Sequence, residues 1–344
     1  MRDALIEKAA SFLKEGLLVS FPTETVYGLG ADASNETAIR RLYQAKGRPS
    51  THPVIVHVHS LDAVRNWAVD IPPEFFKLAE SFWPGPLTMV LKRANSVLNA
   101  VTGGQDTVAL RIPKHPIALA LLEAFGGGLV APSANKFGRL SPTLAQHVID
   151  EFKDEVAMVL DGGPCNVGIE STIINLSGGR PRILRPGMIS VDMLSSVIGD
   201  VEAPANSVTH ATNAKNALAQ VVATDTASDT GSDIRVPGAL ASHYAPETPL
   251  HVVPSHDFYS FLEECAKNNR RVLVVSFKPQ HSGFEPSSWI TLAQEPEEFA
   301  RQIYGALRLL DKRNGDLIVV ESPPDKDTGW SGIHDRLSRA AFRE

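Results

Sequence analysis

The chain has 344 residues and carries 33 Lys and Arg against 39 Asp and Glu, a formal net charge of −6. Its composition, 43% apolar and 21% charged, is ordinary for a globular protein and excludes wholesale disorder. No uncharged apolar run of about 18 residues predicts a membrane span, and the charged N-terminus lacks the apolar run of a signal peptide. Two cysteines, Cys165 and Cys265, are too few for a disulfide framework or a four-cysteine zinc site. We therefore expect a soluble cytoplasmic protein of about two domains.

The first 201 residues alternate helical and strand patterns. Apolar spacing predicts helices over 3–15, 35–45, 74–82, 115–124 and 142–152, and apolar runs predict strands at 17–21, 54–58, 87–91, 107–112, 157–160, 171–176 and 182–185. These elements interleave without a strict βαβ rhythm. We therefore predict an α/β domain over 1–201 with a twisted mixed sheet and flanking helices.

The amino-acid composition changes beyond residue 201. From about 202 to 236 the sequence is rich in Ala, Thr, Ser, Asn and Asp and has no aromatic residue, which predicts a linker extending to 241. Strand patterns then return in HVVP, RVLVVSF and DLIVVE, separated by helical stretches near 257–268 and 296–312 and followed by GIHDRLSRAAF. We predict a second, smaller α/β domain over 242–344.

Several common motifs are absent: there is no Walker A sequence, no GxGxxG after a strand, no HExxH and no GxSxG. Four segments without Asp or Glu offer another way to hold phosphates: 40–61, 107–122, 131–149 and 171–191. Their basic residues are Arg40, Arg41, Lys46, Arg48, Arg111, Lys114, Lys136, Arg139, Arg180, Arg182 and Arg185. Because several of these segments border strand ends and turns, their side chains can converge on one polyanionic ligand.

Two of these motifs have a structural interpretation beside the functional one. In QAKGRP, Lys46 and Arg48 follow a predicted helix, where they either complement the helix dipole or contact an anion. In PSANKFGRLSPT, Ser141 precedes Pro142 and is expected to cap the helix over 142–152. A helix N-terminus is also an anion site, so the two interpretations are compatible.

Strand alternation places Thr107, Ala109 and Arg111 of TVALRIP on one face. A Thr and an Arg on one face predict a carboxylate or phosphate clamp, although a plain exposed face gives the same pattern. His57 and His59 also share a strand face. Two histidines without a third ligand are more often packed or solvent-facing than metal-bound, so we predict no protein metal site.

The strings FPTETVYGLGADA, AKGRP, HPVIVHV, FWPGPLT, TVALRIP, APSANKFGRLSPT, GIEST and LRPG follow the order and spacing of the Sua5/YrdC family, which the chain resembles over nearly its whole length. PGALASHYAP and the C-terminal α/β pattern resemble the two-domain Sua5 branch. The resemblance implies a YrdC-like sheet, a smaller Rossmann-like domain and a linker that covers the active-site mouth.

The same resemblance implies an activity. Members make L-threonylcarbamoyladenylate and pyrophosphate from L-threonine, bicarbonate and ATP, and a downstream tRNA threonylcarbamoyltransferase uses the product to modify adenosine 37. The carbamate of threonine attacks the α-phosphate, so positioning and charge neutralisation replace a protein nucleophile. Mg²⁺ is expected to arrive with ATP.

The resemblance also assigns site residues. Those expected to contact L-threonine are Thr25, His57, Arg111, Ala131 and Ser171, with Arg111 on the carboxylate. Those expected to contact ATP are Lys46, Arg48, His52, Thr107, Ser133, Asn135, Ser141, Arg185 and Tyr244. Lys46, Arg48 and Arg111 are the expected catalytic residues, and Tyr27 is expected to shape the pocket.

The chain departs from the family pattern at two places. His52, Pro53 and Val54 stand where the family usually has Asn-Pro-Leu, and residues 239–242 lack the usual basic and aromatic side chains before HYAP. The first change puts one ATP contact in question, and the second affects the linker.

Two other functions fit parts of the sequence. An RNA-binding module using the same basic cleft is the main alternative, but no aromatic residue for base stacking lies between Phe152 and Tyr244. A carbamoyl-transferring hydrogenase-maturation protein shares this domain but needs zinc-finger cysteines, which the chain lacks.

Overall fold

The structure is a computed structural model that describes residues 2–204, 234–238, 244–285, 288–324 and 328–341. Its helices are α1 Arg2–Lys14, α2 Glu36–Lys46, α3 Pro73–Phe82, α4 Asn99–Thr102, α5 Pro116–Phe125, α6 Ala145–Phe152, α7 Val191–Ile198, α8 Phe258–Lys267, α9 Pro296–Asp311 and α10 Ser331–Ala341. Its strands are β1 Val19–Phe21, β2 Gly28–Asp32, β3 Ile55–His57, β4 Ala68–Val69, β5 Leu87–Arg93, β6 Thr107–Arg111, β7 Leu129–Val130, β8 Met158–Val159, β9 Thr172–Asn175, β10 Arg182–Arg185, β11 Leu250–Val253, β12 Val272–Ser276, β13 Trp289–Thr291 and β14 Leu317–Glu321.

The N-terminal part forms one large sheet in the order β10-β9-β5-β6-β3-β7-β2-β1-β8, with β4 beside β5. β3 pairs with β6 in parallel, as β5 does with β9, whereas β5 and β6 are antiparallel. The predicted mixed α/β sheet is therefore confirmed. The predicted helix over 35–45 is α2, which Asn35 caps through its side chain and Gly47 ends at φ +63°. Glycine adopts this left-handed conformation without strain, so the chain turns sharply between Lys46 and Arg48.

The C-terminal part forms a second sheet in the order β11-β14-β12-β13, in which every pairing is parallel. β12 and β14 are buried along their whole length, as expected for central strands covered on both faces. The smaller α/β unit is thus confirmed. The predicted boundaries at 201 and 242 stay predictions, because 205–233 and 239–243 lie outside the described residues.

Some elements were not predicted. The sequences of β2, β7 and β13 are glycine-rich or very short and carry little periodicity. The helix predicted over 142–152 begins only at Ala145. Among the described helices, none has both the length and the apolar character that crossing a bilayer requires.

Candidate active site

The candidate site lies on one face of the large sheet. Val108 and Leu110 of β6 belong to the main core, whereas Ala109, between them, packs in a separate cluster with Ile55 and Ile173. The predicted alternation that separates Ala109 from Val108 and Leu110 is therefore confirmed. Arg111 lies four residues beyond Thr107 along the strand, a distance of about 13 Å.

Arg111, at the end of β6, is buried and paired. Its Nη2 lies 2.8 Å from a Glu24 carboxylate oxygen and donates to Thr25 Oγ1 at 3.0 Å, while Nε donates to the Gly85 carbonyl at 3.1 Å. Among the described residues, Nη1 makes no hydrogen bond. Arg111 is therefore held in place with donor capacity left for a carboxylate.

His57 lies beside Arg111 in the parallel pairing of β3 and β6. Burial, and then the charge of Arg111, lower its pKa to about 3, so the imidazole is neutral near pH 7. Its Nδ1 is buried and has no hydrogen-bond partner in the described part of the chain. Ala131 follows β7 and donates its amide to the Ile55 carbonyl at 3.2 Å on the neighbouring strand. Thr25, His57, Arg111 and Ala131 thus belong to one cluster.

Lys46 is buried at the end of α2. Its Nζ donates to the carbonyls of Ser133, at 2.6 Å, and Asn135. Burial, and then the nearby charge of Arg48, lower the pKa of Lys46 to about 7. A cation so poorly solvated would gain most from an anion placed against it.

Arg48, just beyond Gly47, is also buried. Its Nη2 donates to the Pro53 carbonyl at 2.8 Å, and its Nε has no hydrogen-bond partner among the described residues. Asn135 donates its side-chain amide to the carbonyls of Lys136 and Arg139, which leaves its buried Oδ1 without a partner there. His52 is half-buried, and its ring centre lies 5.6 Å from that of Phe137.

Arg185 and Ser171 are joined directly. Arg185 Nε and Nη2 donate to the Ser171 carbonyl at 3.1 and 2.9 Å, and Nη2 also reaches Ser171 Oγ at 3.1 Å. Ser171 Oγ lies 2.8 Å from the hydroxyl of Thr88 on β5. Arg185 Nη1 donates to the Pro237 carbonyl at 2.9 Å, so the far end of the predicted linker reaches this cluster.

Residues 234–238 lie on the same sheet face. Ile234 and Val236 pack with Ile55, Val90 and Ala109, and Arg235 donates to the Gly103 carbonyl at 2.8 Å. The rest of the predicted cover, 205–233 and 239–243, lies outside the described residues, so the linker's role stays a prediction.

The prediction that Ser141 caps a helix is wrong. The N-cap position of α6 is Leu144, and the buried Ser141 hydroxyl donates instead to a carboxylate oxygen of Glu170. The second Glu170 oxygen accepts from Nε of Arg336 at 2.7 Å and from the Tyr304 hydroxyl at 3.1 Å. Because α6 begins four residues after Ser141, this side chain does not occupy the N-cap position, and its hydroxyl donates to a charged acceptor instead.

Tyr244 is buried beyond the linker, with its ring centre 6.1 Å from that of Tyr304. A side chain at Gly238 would strike the Tyr244 hydroxyl, so the two segments flanking 239–243 meet closely. Thr107 and Ser133 are half-buried on the sheet side, and Ser133 bridges to Gly28 of β2.

The basic residues singled out in the sequence do not all converge. Lys46, Arg48, Arg111 and Arg185 enter the site, but others form ion pairs at the surface: Arg40 with Glu36, Lys136 with Glu155, Arg139 with Glu247 and Arg180 with Asp200. A strand or helix pattern cannot separate these two groups, because pairing partners are distant in sequence.

The sequence did not single out every functional residue. Glu24 was missed as the partner of Arg111, although an acid inside the buried PTETVYG string was an available signal. Thr88 and Arg336 gave no signal, since each resembles any strand or amphipathic helix residue.

Two other features of the described residues bear on ligand binding. Within the described ranges, no group of three or more His, Cys, Asp or Glu is placed to hold a metal ion. A cavity of about 870 Å³ lies in the C-terminal unit, between α8, the start of β12, residues 281–285 and Ser288, and its lining shares no residue with the predicted site.

The chain matches two family models. Residues 11–187 match the model for Sua5, YciO and YrdC proteins, described as "Telomere recombination", and residues 189–342 match the C-terminal domain of threonylcarbamoyl-AMP synthase. Together the two matches cover nearly the whole chain.

Similar proteins agree with these matches. Threonylcarbamoyl-AMP synthases of Pyrococcus abyssi and Bacillus subtilis are 37% and 35% identical, each over 98% of this chain and 94% and 93% of their own length. The crystal structure of P. abyssi Sua5 complexed with L-threonine is 36% identical, with a TM-score of 0.85 over 98% of this chain and 94% of that one. The chain therefore belongs to the Sua5/YrdC family, in its two-domain Sua5 form.

Proposed function

We propose that the protein is an L-threonylcarbamoyladenylate synthase, a nucleotidyltransferase that joins L-threonine, bicarbonate and ATP and releases pyrophosphate. The observation that carries this proposal is that Arg111 and neutral His57 lie side by side on paired strands, while the buried cations Lys46, Arg48 and Arg185 lie near one another. The names of the similar proteins, and the threonine bound to one of them, support it.

In this proposal the threonine carboxylate binds the Nη1 side of Arg111. The neutral imidazole of His57 accepts a hydrogen bond from the substrate, and its protonated form is not available near pH 7. Ala131 and Thr25 bound the pocket beside it. Threonine is therefore held by its charge and its polar groups before any bond forms.

The reaction then needs two bond-forming steps. The deprotonated amine of threonine attacks the carbon of bicarbonate and water leaves, which forms a carbamate. A carbamate oxygen next attacks the α-phosphorus of ATP, the bond from that phosphorus to the bridging oxygen of the β-phosphate breaks, and pyrophosphate departs. Lys46, Arg48 and Arg185 offset the charge of the phosphates as this occurs.

No protein nucleophile takes part in this scheme. Burial raises the pKa of the Cys165 thiol to about 12, and burial also raises that of Cys265, so neither supplies a thiolate at neutral pH. Magnesium would enter as the Mg·ATP substrate, with water and phosphate oxygens as its ligands. Glu170, the buried carboxylate beside the predicted ATP residue Ser141, already accepts from Ser141, Tyr304 and Arg336.

The product is a mixed anhydride that water can hydrolyse. The segment 234–238, packed on the same sheet face, would limit the access of water. We propose that a tRNA threonylcarbamoyltransferase consumes the product for adenosine 37, and that both proteins act in the cytoplasm.

RNA binding by the same basic residues remains a second prediction, and the burial of the cations weighs against it. Arg48, the most exposed of the four cations in the site, is 8% exposed, so these enclosed cations suit a small polyphosphate that enters the site better than a phosphodiester backbone bound along the surface.

The test is to incubate purified full-length protein with ATP, bicarbonate and labelled L-threonine. We expect pyrophosphate and a labelled adenylate, both dependent on threonine and bicarbonate. If neither product forms, the proposed function is wrong, and tight salt-sensitive RNA binding without turnover would favour the RNA-binding alternative.

A further inference from the structure

One carboxylate joins the C-terminal unit to the candidate site. Glu170 lies in the GIEST string, and its two oxygens accept from Ser141 on one side and from Arg336 and Tyr304 on the other. Arg336 belongs to α10 and is 2% exposed, and Tyr304 belongs to α9 and is 1% exposed. The hydroxyl of a predicted ATP residue is thus oriented through a group that the C-terminal unit holds.

Arg336 also holds the backbone next to two other predicted site residues. Its Nη1 donates to the Pro186 carbonyl at 3.0 Å, and its Nη2 donates to the Glu170 carbonyl at 3.3 Å. Pro186 directly follows Arg185, and Glu170 directly precedes Ser171. The guanidinium carbon lies 5.2 Å from the ring centre of Tyr244, a third predicted ATP residue.

The N-terminal and C-terminal units pack closely against each other at the segments around Glu170 and Pro186. A methyl group added at Gly168, which has φ +87°, would lie 2.2 Å from the Ala300 carbonyl oxygen in α9. One added at Gly332, in α10, would lie 2.7 Å from Cα of Gly187. Backbone contacts of this kind leave little room for the segments around Gly168 and Gly187 to shift against the C-terminal helices.

The electrostatics show how strongly this carboxylate is held. Burial alone would raise the pKa of Glu170, but the charges of Arg336 and Arg185 and the hydrogen bonds from Ser141 and Arg336 bring it below its ordinary value. A buried ion pair is often no more stabilising than apolar residues of similar volume, so stability alone is a weak reason for this arrangement. Fixing a unique geometry is the better-supported role for a fully satisfied buried network.

We propose that Arg336 and Tyr304 are positioning residues for the nucleotide half of the site, acting through Glu170 on Ser141 and on the backbone beside Arg185. The identity of the nucleotide rests on the proposed function. Ser171, which directly follows Glu170, is a predicted threonine-binding residue, but Thr88 and Arg185 hold its side chain. In the described contacts the cluster does not touch Thr25, His57 or Ala131, so threonine binding should change much less than nucleotide binding. The C-terminal unit would then set the affinity for ATP rather than only complete the fold.

The experiment measures dissociation constants of a non-hydrolysable ATP analogue and of L-threonine for the full-length protein. Tyr304→Phe removes only the hydroxyl that reaches Glu170 and should weaken the analogue about threefold to tenfold. Arg336→Gln should weaken it more than tenfold. Threonine affinity should stay within about twofold in both variants. The matched control is Lys312→Ala, which breaks the exposed inter-unit pair with Asp150 at 2.9 Å and should change neither constant.

A double variant separates positioning from general loosening. If Tyr304 acts through Ser141, then Tyr304→Phe should add less than twofold to the loss that Ser141→Ala causes. Should Arg336→Gln fail to fold, Tyr304→Phe and this pair still give the answer. Additive losses, equal weakening of both ligands, or unchanged analogue affinity would overturn the proposal. Wild-type protein that binds both ligands but releases no pyrophosphate would instead contradict the proposed function alone.

Discussion

Two buried arginine–glutamate pairs can be compared directly. Arg111 and Glu24 lie 2.8 Å apart on the sheet face, and Arg336 and Glu170 lie 2.7 Å apart between the two units; all four side chains are less than 10% exposed. The pairs differ in how fully they are satisfied. Arg111 keeps Nη1 without a hydrogen bond among the described residues, whereas Glu170 accepts from three side chains.

The difference indicates a division of labour. An arginine with an unused donor can take a second carboxylate without breaking its first pair, so the Arg111 pair is suited to binding. A carboxylate whose two oxygens already accept three side-chain hydrogen bonds has little left for a ligand, so the Glu170 pair is suited to fixing geometry. Similar burial and similar distance therefore do not imply similar roles.

Breaking the Arg111–Glu24 pair, which keeps an unused donor, should have the largest effect. Arg111→Met removes the proposed partner of the threonine carboxylate and should lower threonine-dependent turnover about 1,000-fold, or about 4 kcal/mol. It also leaves Glu24 buried without its cation, which should cost about 3–5 kcal/mol of unfolding free energy.

A double variant distinguishes these two effects. Glu24→Gln combined with Arg111→Met removes both charges and should recover most of the unfolding free energy in denaturant titrations, while turnover stays low. Recovery of turnover together with stability would mean that Arg111 acts on the fold and not on threonine.

Lys46 is the second cation expected to meet its ligand in the site, and its charge should depend on pH. Because its pKa is lowered to about 7, the amine is mostly neutral at pH 8 in the free protein. ATP favours the ammonium form, so binding should take up a proton at pH 8 and the affinity should fall, by up to about tenfold per pH unit, as pH rises above 7. Calorimetry in two buffers of different ionisation enthalpy measures this uptake.

Lys46→Met supplies the control for that measurement. It should weaken ATP about 100-fold at pH 7 and abolish the proton uptake at pH 8. Proton uptake that persists unchanged in this variant would assign the titration to another group.

His57, which lies beside Arg111, gives a further test of the Arg111–Glu24 pair. Its pKa of about 3 leaves it neutral from pH 5 to 9, so it should act only as a hydrogen-bonding group there. His57→Gln should raise the KM for threonine about tenfold, the value of one lost hydrogen bond, without altering the shape of the pH profile. A wild-type step near pH 6.5 that disappears in the variant would contradict a permanently neutral imidazole.

The smallest effect is expected at His52, which lies outside both pairs. The side chain is half-buried against Phe137. Replacing it with the asparagine usual in the family, His52→Asn, should change the KM for ATP by less than about threefold. A change above tenfold in steady-state assays would show that the imidazole makes a strong nucleotide contact.

Much of the architecture follows from local sequence patterns. Alternation along TVALRIP correctly separated Ala109 from Val108 and Leu110, because neighbouring strand residues point to opposite faces. The apolar spacing predicts the end of α2 at residue 45, one residue before Lys46, where the helix ends. Neither required information from distant parts of the chain.

What sequence reasoning missed depends on distant partners. Ser141 has the local pattern of an N-cap, but α6 begins only at Ala145. The Ser141 hydroxyl donates to Glu170, which is 29 residues away in the sequence. In the sequence, Arg336 resembles a surface residue of an amphipathic helix. Its burial becomes visible only once α10 is packed against the segment around Glu170. Pairings between buried charges at such separations leave no periodic signal in a single sequence.

Equilibrium binding of L-threonine and of an ATP analogue to Arg111→Met tests the division of the site most directly. We expect threonine affinity to fall at least about 30-fold while the affinity for the analogue stays within about threefold. Equal loss of both ligands would show that Arg111 supports the whole site rather than the threonine carboxylate, and the proposed arrangement would be wrong.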